Sequence, residues 1–566
     1  MNFTTFQHPF AGKSEYSERV AYFCMEYGID QSLKIFSGGL GFLAGSHMRS
    51  AYSLQQNLVG IGILWKYGYY DQTRKGNSEM DVLFRQRIYN FLEDTGIVVD
   101  IDVNGHPVKV KAFYLAPDVF QTAPMFLLST DLPENDYLAQ TISHRLYDNN
   151  TEAKVAQYML LGLGGAKVLE AMNWQPDTYH LNEAHGLPAA FHLYSQYGNT
   201  QAVREKLVFT THTPVEAGNE KHDINMLDRL GFFAGLPLQT VREISGIEDD
   251  IFNQSLVALR LSRLANGVSK MHGEVARKMW GKFEGICPIT HITNSQNHKY
   301  WHDPALDRAH QAGDTDALIR RKWELKKEAF QWVADQTGKI LDPDVLTVVW
   351  ARRFAKYKRA DLITRDMERF ERLIQSTDHP IQIIWAGKPY PMDYGAVDMF
   401  NELVHLSRKY PNLAVVTGYE LELSRRLKQA SDIWLNNPRI TREASGTSGM
   451  TAAMNASLNF SVPDGWIPEF AKNLENAFVI DAVDVQLPVE QQDEIDRIQL
   501  MDMLEKEILP RYYDRPQEWW NMVQQSMSEV VPFFDSDRMA AAYYTDLYQV
   551  TGIDVAAKKK EIEGEK

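Results

Sequence analysis

The stretch Val345–Arg353, VLTVVWARR, decides the fold more clearly than any other part of the sequence. Its first seven residues are apolar apart from Thr347, which is typical of a strand buried on both faces of a parallel sheet. Similar runs recur in both halves of the chain and are separated by segments of helix length; examples are Ile381–Gly387, IQIIWAG, and Lys206–His212, KLVFTTH. This alternation predicts a doubly wound α/β fold.

The apolar runs are too numerous for one such sheet, so we expect two domains. A charged helical stretch ends near Ala334–Asp344, before a new strand begins, and we place the break there. The predicted domains are an N-terminal Rossmann-like domain at 1–337 and a C-terminal Rossmann-like domain at 338–529. Residues 530–566 are expected to form a helix that packs back on the first domain and ends in a frayed tail.

The composition is that of a globular protein, with 44% hydrophobic and 23% charged residues in a chain of 566. A formal net charge of −15 argues against broad contact with nucleic acid or anionic membranes. The two cysteines, Cys24 and Cys287, lie in apolar sequence and predict no disulfide framework. Neither a signal peptide nor an apolar stretch of membrane-spanning length is visible, so we expect a cytoplasmic protein.

A glycine-rich segment, SGGLGFL at Ser37–Leu43, follows a short loop and leads into a helical stretch. Glycine permits tight turns and close backbone approach, and the free amides at the start of a helix favour an anion. Gly38, Gly39, Leu40 and Gly41 are therefore candidates for phosphate contact. An ordinary turn before a helix explains the same motif.

Four cations follow the strand of the opening stretch, in VVWARRFAKYKRADL: Arg352, Arg353, Lys358 and Arg359. The carboxyl end of a parallel strand is where α/β proteins bind ligands, and cations buried there require an anion. The alternative is an exposed basic loop.

Two polar clusters end strands in the first half, YHLNEAHG at Tyr179–Gly186 and VFTTHTPVEAGNE at Val208–Glu220. Histidine beside carboxylate can indicate a metal site. The HLNEAH segment does not match a helix-borne metal pair and lies at a strand end, so we predict no metal. A structural role for these histidines stays open at this point.

The segment Arg442–Asn455, REASGTSGMTAAMN, follows a strand-like SDIWLN. Its Glu-Ala-Ser-Gly-Thr run offers a carboxylate, hydroxyls and open backbone amides in one tight turn at the start of a helix. We expect Glu443 and the amides of residues 444–447 to contact a ligand. The alternative is that Glu443 is only a favourable charge at a helix N-terminus.

These segments together resemble those of the α-glucan (glycogen/maltodextrin) phosphorylases of the short bacterial type, over most of residues 18–550. The resemblance implies a GT-B fold, in which two Rossmann-like domains face each other across a cleft. It also implies a retaining hexosyltransferase that moves glucose between an α-1,4-glucan and phosphate, with glucose 1-phosphate as the other product or donor.

The resemblance also implies roles for individual residues. It assigns catalysis to His212, through its main-chain carbonyl, to Arg353 and Lys358 on the substrate phosphate, and to Glu443 on the hydroxyls of the transferred glucose. Substrate-binding positions implied in the same way are Glu183, His185, Asn294, Tyr357, Ala444, Ser445 and Gly446. Positions implied for phosphate or cofactor are Gly38, Gly39, Leu40, Gly41, Arg352 and Thr447.

One position departs from the family pattern. In the family, a run similar to REASGTSGM continues into a lysine that carries pyridoxal phosphate, whereas this chain has Thr451. Threonine has no amine and cannot form a Schiff base, and no lysine occurs between Arg442 and Glu469. The resemblance therefore implies pyridoxal phosphate as cofactor, while Thr451 argues against its covalent attachment.

Three functions follow from this conflict. The first is a phosphorylase-type enzyme that holds the cofactor noncovalently or replaces its phosphate by another anion. The second is a pyridoxal-phosphate-independent transferase like the glycogen synthases, with UDP-glucose or ADP-glucose as donor. The third is a catalytically silent α-glucan-binding homologue, which the retained Arg353, Lys358, His212 and Glu443 disfavour. Neither nucleic acid nor membrane is an expected partner, and an oligomer is compatible with the sequence.

Overall fold

The computed structural model describes residues 2–10 and 12–564. The chain divides into two compact units. Unit 1 consists of Met1–Tyr70, Phe84–Asn294 and Ser536–Lys566, and unit 2 consists of Asp71–Leu83 and Ser295–Asp535.

Unit 1 is built on a nine-stranded mixed sheet. Across the sheet the strands are β13 (Ile289–His291), β12 (Leu264–Gly267), β9 (Leu207–Thr210), β8 (Thr178–Asn182), β1 (Val20–Phe23), β2 (Leu58–Ile63), β7 (Met125–Ser129), β6 (His106–Leu115) and β5 (Glu93–Val103). All neighbours from β13 to β7 pair in parallel, and β7–β6 and β6–β5 are antiparallel. A separate hairpin joins β10 (Lys221–Asp223) to β11 (Ile251–Asn253).

The order in which successive strands are added across this sheet changes direction at β1. From β1 the next strand, β2, lies on one side, and β8 and β9 lie on the other. Such a topological switch point opens a crevice at the carboxyl ends of the strands, where ligands bind in α/β proteins. The loops after β1, β8 and β9 lie at this edge of the sheet in unit 1.

The helices of unit 1 connect and cover these strands. They are α1 (Gly39–Leu54), α2 (Pro117–Phe120), α3 (Tyr137–Thr141), α4 (Thr151–Met159), α5 (Gly165–Ala171), α6 (Pro188–Tyr197), α7 (Thr200–Lys206), α8 (Ile224–Leu230), α9 (Leu238–Ser245), α10 (Gln254–Leu261), α11 (Lys270–Trp280), α23 (Ser536–Tyr543) and α24 (Ile553–Gly564). Helix α23 lies against α1, where Gln56 donates a hydrogen bond to the carbonyl of Ala540 at 3.0 Å.

Unit 2 contains a six-stranded sheet in which every pair is parallel. Its strands are β16 (Leu413–Val416), β15 (Ile381–Ala386), β14 (Leu346–Ala351), β17 (Ile433–Asn436), β18 (Leu458–Ser461) and β19 (Phe478–Val479). The switch point lies between β14 and β17, because β15 and β16 extend from one side of β14 and the later strands from the other. The hairpin of β3 (Asp71–Arg74) and β4 (Met80–Leu83) also belongs to unit 2, where Gln72 donates to the carbonyl of Gly387 at 3.0 Å.

The helices of unit 2 are α12 (His298–Trp301), α13 (Pro304–Gln311), α14 (Thr315–Thr337), α15 (Met367–Ile374), α16 (Tyr394–Ser407), α17 (Leu421–Ala430), α18 (Ser448–Ala453), α19 (Ile467–Phe470), α20 (Val489–Met503), α21 (Leu509–Tyr513) and α22 (Pro516–Phe534). The predicted α/β class with large parallel sheets is confirmed.

The main segment of unit 2 begins at Ser295, whereas the sequence predicted that the second domain begins after residue 337. Helix α14 accounts for the difference, because its buried lysines are bonded within unit 2. Lys326 contacts the carboxylate of Asp432 at 2.6 Å, and Lys322 donates to the carbonyl of Asn455 at 2.9 Å. Within residues 2–10 and 12–564, no helix combines the length and apolar character needed to cross a bilayer.

Candidate active site

A buried cluster of two cations and one carboxylate lies at the switch point of unit 2. Arg352 follows β14 directly, and Glu443 lies in the loop that follows β17. The guanidinium of Arg352 is 3.0 Å from Glu443 Oε2, and Lys358 Nζ is 3.2 Å from the same oxygen. The predicted positions 352, 358 and 443 therefore meet at one point.

Burial and charge set the protonation of this cluster. Burial lowers the pKa of Lys358 to about 7, an effect that the nearby charge of Arg352 strengthens and that of Glu443 opposes. Burial alone would raise the pKa of Glu443, but Lys358 and Arg352 outweigh it and hold that pKa below its usual value. Near neutral pH Glu443 is thus an anion, while Lys358 is poised to gain or lose its proton.

Arg352 has hydrogen-bonding capacity beyond its contact with Glu443. Its Nε and Nη1 atoms are buried and have no hydrogen-bond partner among the residues that the structure describes. A buried guanidinium that leaves donors unmatched is costly unless a further acceptor is supplied. The arrangement is therefore suited to binding an additional anion or polyol.

The turn that carries Glu443 is held by a second carboxylate. Asp464 Oδ2 accepts the backbone N–H of Glu443 at 2.9 Å and that of Arg442 at 3.1 Å. Burial and the neighbouring charge of Glu443 raise the pKa of Asp464 to about 7, although the hydrogen bonds that Asp464 accepts lower it. Gly465, at φ +62°, brings its backbone so close to the carbonyl of Ser445 that a Cβ atom would lie 2.2 Å from that oxygen.

The remaining residues of the turn complete its polar lining. Gly446 adopts φ +85°, a left-handed conformation that favours glycine, and the turn depends on it. Ser445 is buried beside Ala444, and its hydroxyl has no hydrogen-bond partner within the described chain. Thr447 precedes helix α18 as its N-cap residue.

The four cations that follow β14 differ in their surroundings. Arg359 is fully buried and belongs to a protein ion cluster, with Asp493 at 2.9 Å and Asp496 at 2.7 Å. Arg353 is exposed and lies within reach of the hydroxyl of Tyr357, and burial raises the pKa of that tyrosine to about 12. Arg359 thus meets its anions within the protein.

Thr451 lies on helix α18 with its side chain completely buried. Its hydroxyl donates to the carbonyl of Ser448 at 3.0 Å, and its own carbonyl accepts a hydrogen bond from Asn455 at 2.7 Å. The residue is therefore packed and bonded as an ordinary helical threonine. Covalent pyridoxal phosphate does not fit here, since this position offers neither an amine nor an open side chain.

In unit 1, the glycine-rich turn before α1 already contacts a protein carboxylate. Glu26, in the loop after β1, accepts the backbone N–H groups of Ser37 at 2.7 Å and Gly38 at 3.1 Å. It also accepts the hydroxyl of Tyr147 at 2.7 Å. The first amides of the turn are thus occupied. Sequence reasoning missed Glu26, although its place directly after a buried strand was a usable signal.

Among the glycines of this turn, Gly41 leaves no room for a side chain, whereas Gly38 and Gly39 do. A Cβ at Gly41 would lie 2.7 Å from Glu26 Oε2, whereas Gly38 and Gly39 have no atom within 4 Å of such a Cβ. Gly39, Leu40 and Gly41 form the first turn of α1. The side of the turn at Gly38 and Gly39 is therefore open, and the side at Gly41 is packed.

Glu183 and His212 are brought together at the ends of β8 and β9. Glu183 Oε1 accepts the backbone N–H of His212 and, at 3.1 Å, the hydroxyl of Thr213. The ring Nε2 of His212 lies 2.7 Å from Oδ1 of Asn182. An amide oxygen can only accept, so Nε2 donates this hydrogen bond. Glu183 supports the His212 backbone, and Asn182, which sequence reasoning missed, fixes the orientation of the His212 ring.

Burial controls protonation in this pair as well. It raises the pKa of Glu183 to about 7 and lowers the pKa of His212 to about 3. His212 is therefore neutral, in agreement with its ring donating a hydrogen bond to an amide oxygen. Glu183 also adopts φ +68°, a conformation that non-glycine residues rarely hold, as expected where strain positions a functional group.

The last two predicted residues of unit 1 are His185 and Asn294. His185 stacks on Tyr158 with ring centroids 5.0 Å apart, and burial lowers its pKa to about 4. Asn294 is buried, and its Oδ1 has no hydrogen-bond partner among the described residues. An unmatched buried amide oxygen of this kind is suited to a ligand hydroxyl.

The geometry is that of an α/β protein with buried charged or polar groups where strands of each sheet end. A family model described as carbohydrate phosphorylase matches residues 292–502, which include the whole cation–carboxylate cluster. The chain is 31% identical to the maltodextrin phosphorylase of Thermococcus litoralis, over 94% of this chain and 71% of that protein. It is 30% identical to the glycogen phosphorylase of Mycobacterium tuberculosis, over 94% and 70%.

The chain belongs to the carbohydrate phosphorylase family, and the resemblance read from its motifs is confirmed. The expectation of a phosphorylase-like glycosyltransferase is confirmed with it. An uncharacterised protein of Methanocaldococcus jannaschii is 45% identical over 94% of this chain and 99% of its own length. Pyridoxal phosphate is the cofactor expected in the family.

Proposed function

We propose that this protein is a retaining hexosyltransferase that moves glucose between an α-1,4-glucan and phosphate without covalently bound pyridoxal phosphate. The proposal includes a GT-B arrangement of two Rossmann-like domains. Catalysis is assigned to His212 in unit 1 and to Arg353, Lys358 and Glu443 in unit 2. The buried cluster of Arg352, Lys358 and Glu443 is the observation that carries the proposal.

The charges of the cluster suit a reaction between a sugar and a phosphate. Lys358 and Arg353 would bind the phosphate dianion, and Arg352 would use its unmatched donors on the same ligand. Glu443, held anionic by its neighbours, would orient the hydroxyls of the glucose and stabilise positive charge developing at its ring. The His212 carbonyl would face the anomeric carbon, with Glu183 holding its backbone in place.

The transfer balances without another group. The bond between the anomeric carbon and the glycosidic oxygen breaks, and a bond from that carbon to a phosphate oxygen forms on the same face. The glycosidic oxygen leaves with a proton supplied by the phosphate. The products are α-glucose 1-phosphate and a glucan shortened by one residue.

A product assay tests the proposal. Purified protein, maltodextrin and phosphate should yield α-glucose 1-phosphate, which nuclear magnetic resonance distinguishes from the β anomer. Arg439→Lys is the matched control for changes to the cluster. Arg439 lies in the same loop after β17 as Glu443, but it pairs with Asp493 at 2.7 Å and takes no part in the cluster. Absence of product from the wild-type protein with maltodextrins of several lengths and with glycogen would overturn the proposal.

A second function, transfer from UDP-glucose or ADP-glucose to a glucan, is favoured by one observation. Thr451 is buried as an ordinary helical residue at the position of the family's cofactor lysine. The cations Arg352, Arg353 and Lys358 are nevertheless present. Thermal-shift measurements with phosphate, glucose 1-phosphate and the two nucleotide sugars separate the candidates. The phosphorylase proposal predicts stabilisation by the first two. Stabilisation by a nucleotide sugar alone supports the second function, and stabilisation by maltodextrin alone supports a silent glucan-binding protein.

A further inference from the structure

Outside the catalytic residues, one cluster in unit 2 has the composition of a metal site. His298 and His302 lie at the two ends of helix α12, and Asp307 lies on α13. One ligand atom from each of the three side chains lies within 4.8 Å of the other two. Two imidazoles and a carboxylate form a donor set used for zinc and for other divalent transition metals.

The spacing within the cluster suits an ion better than a direct hydrogen bond. His298 Nε2 is 3.5 Å from Asp307 Oδ1, which exceeds the usual length of an N–H···O bond. Two ligands that each lie about 2.1 Å from a tetrahedral zinc ion are separated by about 3.4 Å. The observed separation therefore matches that of two atoms sharing one metal.

The orientation of the His302 ring also suits metal binding. Its Nδ1 lies 2.6 Å from the backbone carbonyl of His298, and a carbonyl can only accept, so Nδ1 carries the proton. With Nδ1 used in this hydrogen bond, Nε2 is the nitrogen left for a metal. A backbone carbonyl that fixes the tautomer in this way is the usual outer partner of a metal-binding histidine.

Asp307 and His298 are oriented by partners as well. Gln311 donates its side-chain amide to Asp307 Oδ2 at 2.8 Å, which leaves Oδ1 directed at His298. Asp535 Oδ1 accepts the backbone N–H of His298 at 3.2 Å and places a second carboxylate beside the cluster.

The location is accessible yet sheltered. The side chains of His298 and Asp307 are 14% and 19% exposed, which admits an ion and a water molecule without full solvation. The two imidazole rings stack with centroids 4.1 Å apart and planes 17° from parallel, so one ring must rotate before both nitrogens point at a single ion.

We propose that His298, His302 and Asp307 bind one divalent transition-metal ion of the zinc class, with water completing the coordination. The ion would be structural, because it joins the α12 segment to α13 and uses no residue assigned to catalysis. Calcium and magnesium are disfavoured because they prefer oxygen ligands. The sequence signal, His-x3-His-x4-Asp in HKYWHDPALD, was present but was not read as a metal motif.

Isothermal titration of tag-free, chelator-treated protein with zinc chloride tests this proposal. We expect stoichiometric binding that falls at least about 100-fold in His302→Ala and in Asp307→Asn, since each removes a ligand. Gln311→Ala should weaken binding by about tenfold, as loss of an orienting partner does. His405→Gln is the matched control, because His405 pairs with Glu79 at 3.1 Å elsewhere in unit 2.

Cobalt(II) provides a readout that does not depend on stability. The wild-type protein should develop the visible absorption of tetrahedral cobalt, and His302→Ala should not. Should one ligand variant fail to fold by circular dichroism, the other, together with Gln311→Ala, keeps the test intact. Zinc binding that is equal in the wild type and in the folded ligand variants would overturn the proposal, as would no stoichiometric binding at all.

Discussion

Two turns of this protein contain glycine and a closely placed carboxylate, but the carboxylates interact with different kinds of partner. In unit 1, Glu26 accepts backbone N–H groups of the turn before α1. In unit 2, Glu443 is itself part of the turn and faces the cations Arg352 and Lys358. The carboxylate of Glu26 thus makes directional hydrogen bonds to backbone groups, whereas the carboxylate of Glu443 pairs with charged side chains. Cations paired with a carboxylate can bind an incoming anion in its place. We therefore assign a catalytic role to the turn of Glu443 and a structural role to the turn that Glu26 contacts.

The largest expected effect is that of Glu443→Gln. Transfer should fall by about 100-fold or more, as for loss of a group that stabilises the transition state. The free energy of unfolding should fall by about 3 kcal/mol, because two buried cations lose their counter-ion. Added sulfate should then raise the melting temperature of the variant more than that of the wild type. An equal response to sulfate would contradict the role of Glu443 as an internal anion.

The matching change in unit 1 is Glu26→Gln. The glutamine keeps an acceptor for Ser37 and Gly38 but loses the charge, so the free energy of unfolding should fall by about 1–2 kcal/mol. No cation in this turn is released, and sulfate should have the same effect as on the wild type. Denaturant titration with and without sulfate measures both quantities. A sulfate-specific gain in this variant would remove the difference between the two turns.

A pH dependence follows from the lowered pKa of Lys358. Because burial lowers it to about 7, Lys358 is charged below that pH and neutral above it. Binding of sulfate, whose own charge does not change in this range, should weaken roughly tenfold between pH 6 and pH 8, about the worth of one charge-assisted hydrogen bond. Lys358→Arg keeps its charge and should flatten the profile. A wild-type affinity that stays constant over this range would refute the assignment.

The smallest effect concerns Asp464, which supports the Glu443 turn. Its pKa is raised from 3.8 to about 7, so its contribution to stability is present below about pH 4 and is lost as the pH rises through about 7. Asp464→Asn has no proton to lose. Relative to the wild type, the variant should therefore be more stable at pH 8 than at pH 5, by a difference on the order of 1 kcal/mol. Urea unfolding at the two pH values measures this, and a difference of opposite sign would contradict the raised pKa.

Much of the fold could be predicted because its central strands are buried on both faces. Continuous apolar runs such as those of β14 and β17 have few other structural solutions. Strand β5 was missed because it is half exposed and pairs antiparallel at the edge of the sheet, where alternation replaces a continuous apolar run. The short hairpin of β3 and β4 carries almost no periodic signal.

The candidate site was predictable where chemistry is local and not where it depends on distant residues. The run after β14 identified its cations, but nothing local distinguishes Arg352 from Arg359. Arg359 is matched by Asp493 and Asp496, more than a hundred residues along the chain. The contact between Glu26 and the glycine-rich turn is likewise tertiary, since a loop after one strand meets the start of a helix.

The central claim is glucose transfer by Glu443 and its cations without a Schiff base at position 451. Protein incubated with pyridoxal phosphate and reduced with borohydride fixes any Schiff base as a stable lysine adduct, which peptide mass spectrometry locates. We expect no stoichiometric adduct at any lysine, and the same formation of α-glucose 1-phosphate before and after treatment. A stoichiometric adduct at one lysine, with phosphorolysis that depends on added pyridoxal phosphate, would contradict it.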